Sequence, residues 1–187
     1  MSRGRIPAAE HRRIAATFTE RVVGTPSTAW DDPAPVEGWR ARDVVRHLVE
    51  WFPSFLEGGA GVKLPAGPSV DDDPVAAWTV HSDGVQALLD DPATADMVLS
   101  NPNTGDVPLD EAIDRIYTSD VFMHTWDLAR ATGQDETLDP VKCAQLLEAM
   151  AEHEEAMRGS GQYGPRVEVP EDADVQTKML GFIGRTP

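Results

Sequence analysis

The stretch Leu109-Asp-Glu-Ala-Ile113-Asp-Arg-Ile116-Tyr117-Thr-Ser-Asp120-Val121-Phe-Met-His124-Thr-Trp126-Asp127-Leu128-Ala-Arg-Ala131 decides the fold. Leu109, Ile113, Ile116, Tyr117, Val121, Leu128 and Ala131 recur at three-and-four spacing, which predicts a helix with one buried stripe. Asp120, His124 and Asp127 lie on that same stripe. At ~100° per residue they fall within roughly 60° of one another, among the isoleucines and not opposite them. An unpaired carboxylate in an apolar interior is costly, so the stripe must contain a cation, a hydrogen-bond network or a water-filled pocket. The Asp-x-x-x-His spacing lets two side chains grip one metal ion. A hydrogen bond within one helix turn, or a stripe that opens to solvent at mid-helix, would also account for it.

Working outward, Pro7 opens a first helix that runs to about Val23, with Ile14, Ala15, Phe18 and Val22 as its apolar face. Trp30 to Gly38 is proline-rich and turn-like. A second helix follows from about Arg40 to Leu56, and Pro53 is expected to kink or loosen its last turn. Gly58 to Ser69 reads as a surface loop. Asp73-Pro74 is a cap signal for a third helix to about Leu89. From Asp91 to Pro108 the chain is expected to be irregular, with a short extended piece at Met97 to Leu99, and to lie over the site. The central helix runs from about Leu109 to a left-handed cap at Gly133. Asp139-Pro140 opens a fifth helix to about Arg158. The tail holds Tyr163-Gly-Pro165, an alternation at Val167 to Val169 and a short helix near Asp174 to Ile183. These elements predict an all-α fold: a four-helix bundle with an additional C-terminal helix and a short extended tail segment. With no repeat and no low-complexity linker, residues 1–187 are expected to form one domain.

Composition narrows the function. The formal net charge is -16, from 32 acidic against 16 basic residues, and such a field repels nucleic acid. Cys143 is the only cysteine, so no intrachain disulfide forms, and a reducing cytoplasm is the expected compartment. Arg3, Arg5, Arg12 and Arg13 are followed by no apolar run that would serve as a signal sequence or membrane span. The expectation is a soluble protein acting on a small molecule, away from membranes. No exposed apolar stripe points to an oligomeric state.

A third metal ligand would have to come from His11, His47, His81 or His153. His47 flanks the stripe Val44, Val45, Leu48, Phe52 and Phe55, and periodicity does not rank it above His81. His11 and His153 sit among charged neighbours and read as solvated surface residues. Trp39 and Trp126 read as packing anchors, Arg42 and Arg130 as salt-bridge partners, and Cys143 as a buried packing residue.

Three ordered motifs carry a family resemblance. Gly38-Trp39-Arg-Ala-Arg42-Asp43-Val-Val-Arg-His47-Leu resembles the Gly-Trp…Asp-x-x-x-His-Leu element of the bacterial DinB-like metal-binding proteins, in the branch related to the N-terminal domain of mycothiol-dependent maleylpyruvate isomerase. Asp120-Val-Phe-Met-His124-Thr-Trp126-Asp127-Leu-Ala-Arg-Ala-Thr-Gly133 is similar to that branch's Asp-x-x-x-His-x-Trp-Asp-Leu-Ala-x-Ala-Thr-Gly signature. Tyr163-Gly-Pro165-x-Val167-x-Val169-Pro170 and Leu180-Gly-Phe-Ile-Gly-Arg-Thr-Pro187 are similar to the end of its short, single-domain members.

The resemblance implies a divalent metal held by His47, Asp120 and His124, with Asp127 as an orienting acceptor behind a ligand or else a helix-packing partner. Two histidines and one carboxylate leave open positions, as catalytic sites do. Zinc is the first expectation, and nickel or iron also suits imidazole. Because the related isomerase uses a low-molecular-weight thiol, the implied activity is thiol S-transfer or isomerisation, with mycothiol or another small thiol as cosubstrate, or hydrolysis if water is activated instead. A non-catalytic metal or small-ligand sensor, and a metal-free structural interaction module, are the other readings. Two departures are expected to matter. The isomerase carries glutamate where this chain has Asp120, and it has a further C-terminal domain, so maleylpyruvate is not expected to carry over as substrate.

Overall fold

Ile14, Ala15, Phe18 and Val22 recur along one side of helix α1 (Arg5–Gly24) and all are buried, with Ala8 and His11 extending the same stripe. This is a computed structural model, and it describes residues 5–102, 105–159, 161 and 163–187. Helix α2 (Ala41–Ala60) begins where the Arg40 N–H donates to Asp43 Oδ2 at 2.9 Å, and it buries Val44, Val45, Leu48, Phe52 and Leu56. It outruns its expected end at Leu56. The chain stays helical through Pro53 and the pair Gly58-Gly59, stopping at Gly61. Pro53 removes one ladder bond, and the burial of Phe52 and Leu56 on either side offsets that loss.

Helix α3 (Pro74–Asp90) opens as expected, with the Asp73 carboxylate accepting from the Ala76 N–H at 2.9 Å. Its fully buried Trp78 lies edge-on to Phe18 at 4.5 Å and donates Nε1–H to Thr19 Oγ1 at 2.8 Å.

The segment expected to be irregular is a 3-10 turn (Pro92–Thr94) followed by an antiparallel hairpin of β1 (Val98–Asn101) and β2 (Gly105–Pro108), with Leu99 opposite Val107. The fold is mostly helical with one small two-stranded sheet, consistent with the all-α expectation. The buried Leu99 packs on Gly59 of α2. Twelve residues separate Gly59 from His47, about 18 Å of helix, so the hairpin is anchored away from His47 instead of lying over it.

The stretch from Leu109 is continuous but not uniform. Helix α4 (Leu109–Ala112) leads into a π-helical turn (Ile113–Thr118), and helix α5 (Ser119–Thr132) comes next. Gly133, at φ 67°, supplies the left-handed cap its position predicted. Residues 121–129 are buried without a break, so α5 is enclosed on every face where the periodicity predicted one stripe. Both α1 and α2 pack on α5, and both also pack on α3.

The chain divides into two compact units, Met1–Ala34 with Gly38–Asp135, and Pro35–Glu37 with Glu136–Pro187. In the second unit, α6 (Pro140–Ala151) starts at Asp139 as expected, but the fifth helix breaks at Glu152-His153 and resumes as α7 (Glu154–Gly159). Helix α8 (Val175–Phe182) packs on α6, and Gln176 ties it to the Glu136 carbonyl and the Leu138 N–H. The alternation Val167 to Val169 forms no strand; the Val167 N–H donates to the Gly181 carbonyl at 2.9 Å. Cys143 is buried as expected, and that burial, with Asp139 and Asp174, pushes its thiol up to about 11. Among the described residues no helix is long and apolar enough to cross a membrane.

Candidate metal centre

Two helices each contribute a pair of side chains one turn apart. On α2 the pair is His47 and Trp51; on α5 it is Asp120 and His124. The helices are locked in register beside them. Phe52, next to Trp51, stacks on Tyr117 at 3.9 Å and 12°, and Tyr117 lies three residues before Asp120. Tyr117 belongs to the π-helical turn, where the Ser119 hydroxyl donates to the Asp114 carbonyl five residues back at 3.2 Å. A wide turn rotates the residues after it relative to a regular helix, which is one reason such turns recur at functional sites.

Asp120 stands between the two imidazoles. Its Oδ2 lies 3.1 Å from His47 Nε2, and its Oδ1 lies 3.4 Å from His124 Nε2. Trp51 Nε1–H also donates to Oδ2 at 3.1 Å, holding the carboxylate from the α2 side. Ligand atoms of His47, Asp120 and His124 all fall within 4.8 Å of one another. The rings of His47 and His124 meet edge to face at 4.9 Å. Trp39, from the turn before α2, stacks on His124 at 5.7 Å and approaches His47 at 5.1 Å. Side-chain exposure falls from 33% at His47 through 19% at Asp120 to 8% at His124, so the set is open on the His47 side.

Behind His124 lies Asp127, with a fully buried side chain and Oδ2 at 2.8 Å from His124 Nδ1. A carboxylate accepts, so Nδ1 carries the proton. In neutral His124 the Nε2 lone pair then faces Asp120 Oδ1, acceptor against acceptor. A proton or a metal ion on Nε2 relieves that opposition. The donor chemistry suits a divalent transition ion: two imidazole nitrogens, one carboxylate, and an outer carboxylate fixing a tautomer. The observed 3.1 and 3.4 Å separations resemble the ~3.3 Å between neighbouring ligands that tetrahedral bonds of ~2.0–2.1 Å give.

Of the two histidines that periodicity did not rank, His47 is the one beside Asp120 and His124. His81 is buried elsewhere, its Nε2 at 2.8 Å from the Tyr117 hydroxyl, and burial followed by the nearby His11 lowers its pKa to about 4. His11 corrects the surface reading outright. It is fully buried, Nδ1 lies 2.9 Å from Thr118 Oγ1, and desolvation is the first cause lowering its pKa to about 4. His153 is exposed, as expected. Trp126 is a packing residue, with the Arg130 guanidinium over its ring at 4.6 Å, and Arg42 pairs with Asp31 at 3.0 Å. Trp51 was missed. Its signal was the one-turn spacing from His47 on the same helix face.

Residues 11–129, which contain His47, Trp51, Asp120 and His124, match a family model described as the mycothiol maleylpyruvate isomerase N-terminal domain. Two proteins from different strains of Mycobacterium tuberculosis, both described as uncharacterized, are each 27% identical over 183 residues, covering 96% of this chain and 98% of theirs. No solved structure matches.

Proposed function

The chain belongs to the family of the mycothiol maleylpyruvate isomerase N-terminal domain, and from that premise we propose that it is a metal-dependent enzyme using a small thiol. His47, Asp120 and His124 would hold one divalent ion, zinc first and nickel or iron next, within a bundle formed by α1, α2, α3 and α5. The observation that carries this reading is the convergence of the three ligand atoms within 4.8 Å, with the His124 tautomer set by Asp127. When bound, the ion would supply Lewis-acid polarisation and lower the pKa of a thiol or water at an open position.

The protein groups supply the rest. Asp127 keeps Nδ1 protonated and so presents Nε2 of His124. Trp51 turns the Asp120 carboxylate toward both imidazoles. Trp39 covers the two rings and limits water there, while the exposed side of His47 gives a small substrate and thiol their approach. The low-molecular-weight thiol, mycothiol in the first instance, is carried over from the family; S-transfer or isomerisation of an electrophilic small molecule is the reaction class.

A metal-binding protein without catalysis is separated from this reading by one assay. Metal-loaded protein is mixed with mycothiol and a panel of electrophiles, including epoxides and unsaturated ketoacids, and thiol consumption is followed. The proposal expects turnover that disappears in His124→Ala and without thiol. Stoichiometric metal with no thiol-dependent turnover across the panel supports the binding protein instead.

A further inference from the structure

A cavity of about 320 Å³ lies between α2, α3 and the loop from Leu64 to Val70, and none of His47, Asp120 and His124 lines it. Val49 and Pro53 line it from α2, Ala77 and His81 from α3, and Pro65 and Pro68 from the loop. Its size falls within the ~300–1,000 Å³ range of small-molecule sites.

The loop wall is seated by sterics. A Cβ on Gly67 would meet Ala77 Cα and Val80 Cβ at 3.3 Å, and one on Gly84 would meet Pro65 Cδ at 2.9 Å. Loop and helix therefore approach closely at two points, Gly67 against the Ala77 backbone and the Pro65 ring against Gly84. With Pro65 at one of those points and Pro68 next to the other, the wall is preformed, and binding there would order little additional chain.

His81 gives the cavity its polar group. The residue is 4% exposed and neutral at physiological pH, since burial lowers its pKa to about 4. The Tyr117 phenol, fully buried and with its pKa raised by desolvation, keeps its proton and is best satisfied by donating it to His81 Nε2 at 2.8 Å. That direction fixes the tautomer: the single ring proton of neutral His81 sits on Nδ1. No protein acceptor is bonded to it among the described residues, and it is not one of the fully buried unpartnered side-chain atoms, so it is reached from the cavity that His81 lines and is able to donate to an occupant there. Glu50, exposed and also lining the cavity, adds a negative charge that disfavours anions.

We infer that this cavity is a second binding site, separate from the histidine-aspartate cluster, for a neutral small molecule with an apolar body and one carbonyl-type acceptor received by His81 Nδ1–H. The apolar walls take the body, the histidine orients it, and charge excludes its carboxylate analogues.

The test uses acetophenone as the probe, α-methylstyrene as its shape match without the carbonyl oxygen, and benzoate as its anionic counterpart. Each is titrated into the full chain with and without added zinc, followed by NMR of the histidine ring nitrogens. Saturable acetophenone binding that moves the His81 signals is expected. The shape match should bind about five- to ten-fold more weakly, as loss of one neutral hydrogen bond predicts, and benzoate more weakly than acetophenone. Val49→Trp, which fills the cavity from α2, should remove the binding. Equal affinity for the ketone and the alkene, tighter binding of benzoate, no saturable acetophenone binding, or binding that survives Val49→Trp would each overturn the inference. None of these readouts depends on the activity of the metal-loaded protein.

Discussion

Asp127 Oδ2 lies 2.8 Å from His124 Nδ1, with the aspartate side chain fully buried, so a charge has been placed in the core to fix one imidazole tautomer. Such outer carboxylates typically change metal affinity by ~10–100-fold when removed. Asp127→Ala is therefore expected to weaken zinc binding by about that factor in chelator competition, and Asp127→Asn, which still accepts from Nδ1–H through its amide oxygen, by less. Equal effects of the two variants would count against the tautomer role.

Trp51→Phe keeps the ring contacts with Phe52 and Phe55 but deletes the N–H that Asp120 accepts. A hydrogen bond to a charged group contributes ~1.5–3 kcal/mol, and at the part-buried Asp120 the lower end is expected, as a loss near 1.5 kcal/mol in urea unfolding of metal-free protein. Metal affinity should fall in the same variant, because the carboxylate loses its support from α2.

Acid should destabilise the fold through His11 and His81. Each has a folded pKa lowered from 6.5 to about 4, so the unfolded chain binds more protons between those values. The stability that depends on their neutrality is complete above pH 6.5 and is lost as pH falls toward 4. At ~1.4 kcal/mol per pH unit, the loss is up to roughly 3 kcal/mol per histidine. Urea unfolding at neutral pH and near pH 4.5 should show it, and His11→Gln should reduce the difference by about half, the His81 part remaining.

Gly59→Ala tests the seating of the hairpin. The new Cβ would meet Leu99 Cγ at 2.9 Å and the Ser100 carbonyl oxygen at 3.2 Å, and Leu99 is fully buried. Overpacking of this kind costs ~1–3 kcal/mol, which thermal unfolding should register as a lowered Tm with the metal-binding residues untouched.

Features set by local forces were readable from the sequence, and those set by tertiary packing were not. Asp120, His124 and Asp127 share one face by local helix geometry, and their meeting was readable from spacing alone. His47 and His81 both sit on helices, and choosing between them requires knowing which faces pair, a tertiary fact that only the family resemblance supplied. His11 was misread because Glu10, Arg12 and Arg13 surround it; its three-residue spacing to Ile14 and seven to Phe18 was the better signal. The π-helical turn had no sequence signal that we can name. It accompanies the stacking of Tyr117 on Phe52, a contact between residues 65 positions apart (117 minus 52). The overrun of α2 past Leu56 had the same kind of cause, since Gly58 and Gly59 are weak helix formers and the stretch is kept helical where Leu99 packs on Gly59.

Whether His47, Asp120 and His124 hold one metal ion is answered by elemental analysis of protein purified without a metal-binding tag, beside His47→Ala and Asp120→Ala. One equivalent of a transition metal is expected in the unmodified chain and its loss in both variants, with helical content retained. Protein that stays metal-free after incubation with zinc, nickel, iron or manganese would contradict the metal site, and His47, Asp120 and His124, with Trp51 and Asp127, would then be a polar network within a binding or structural protein.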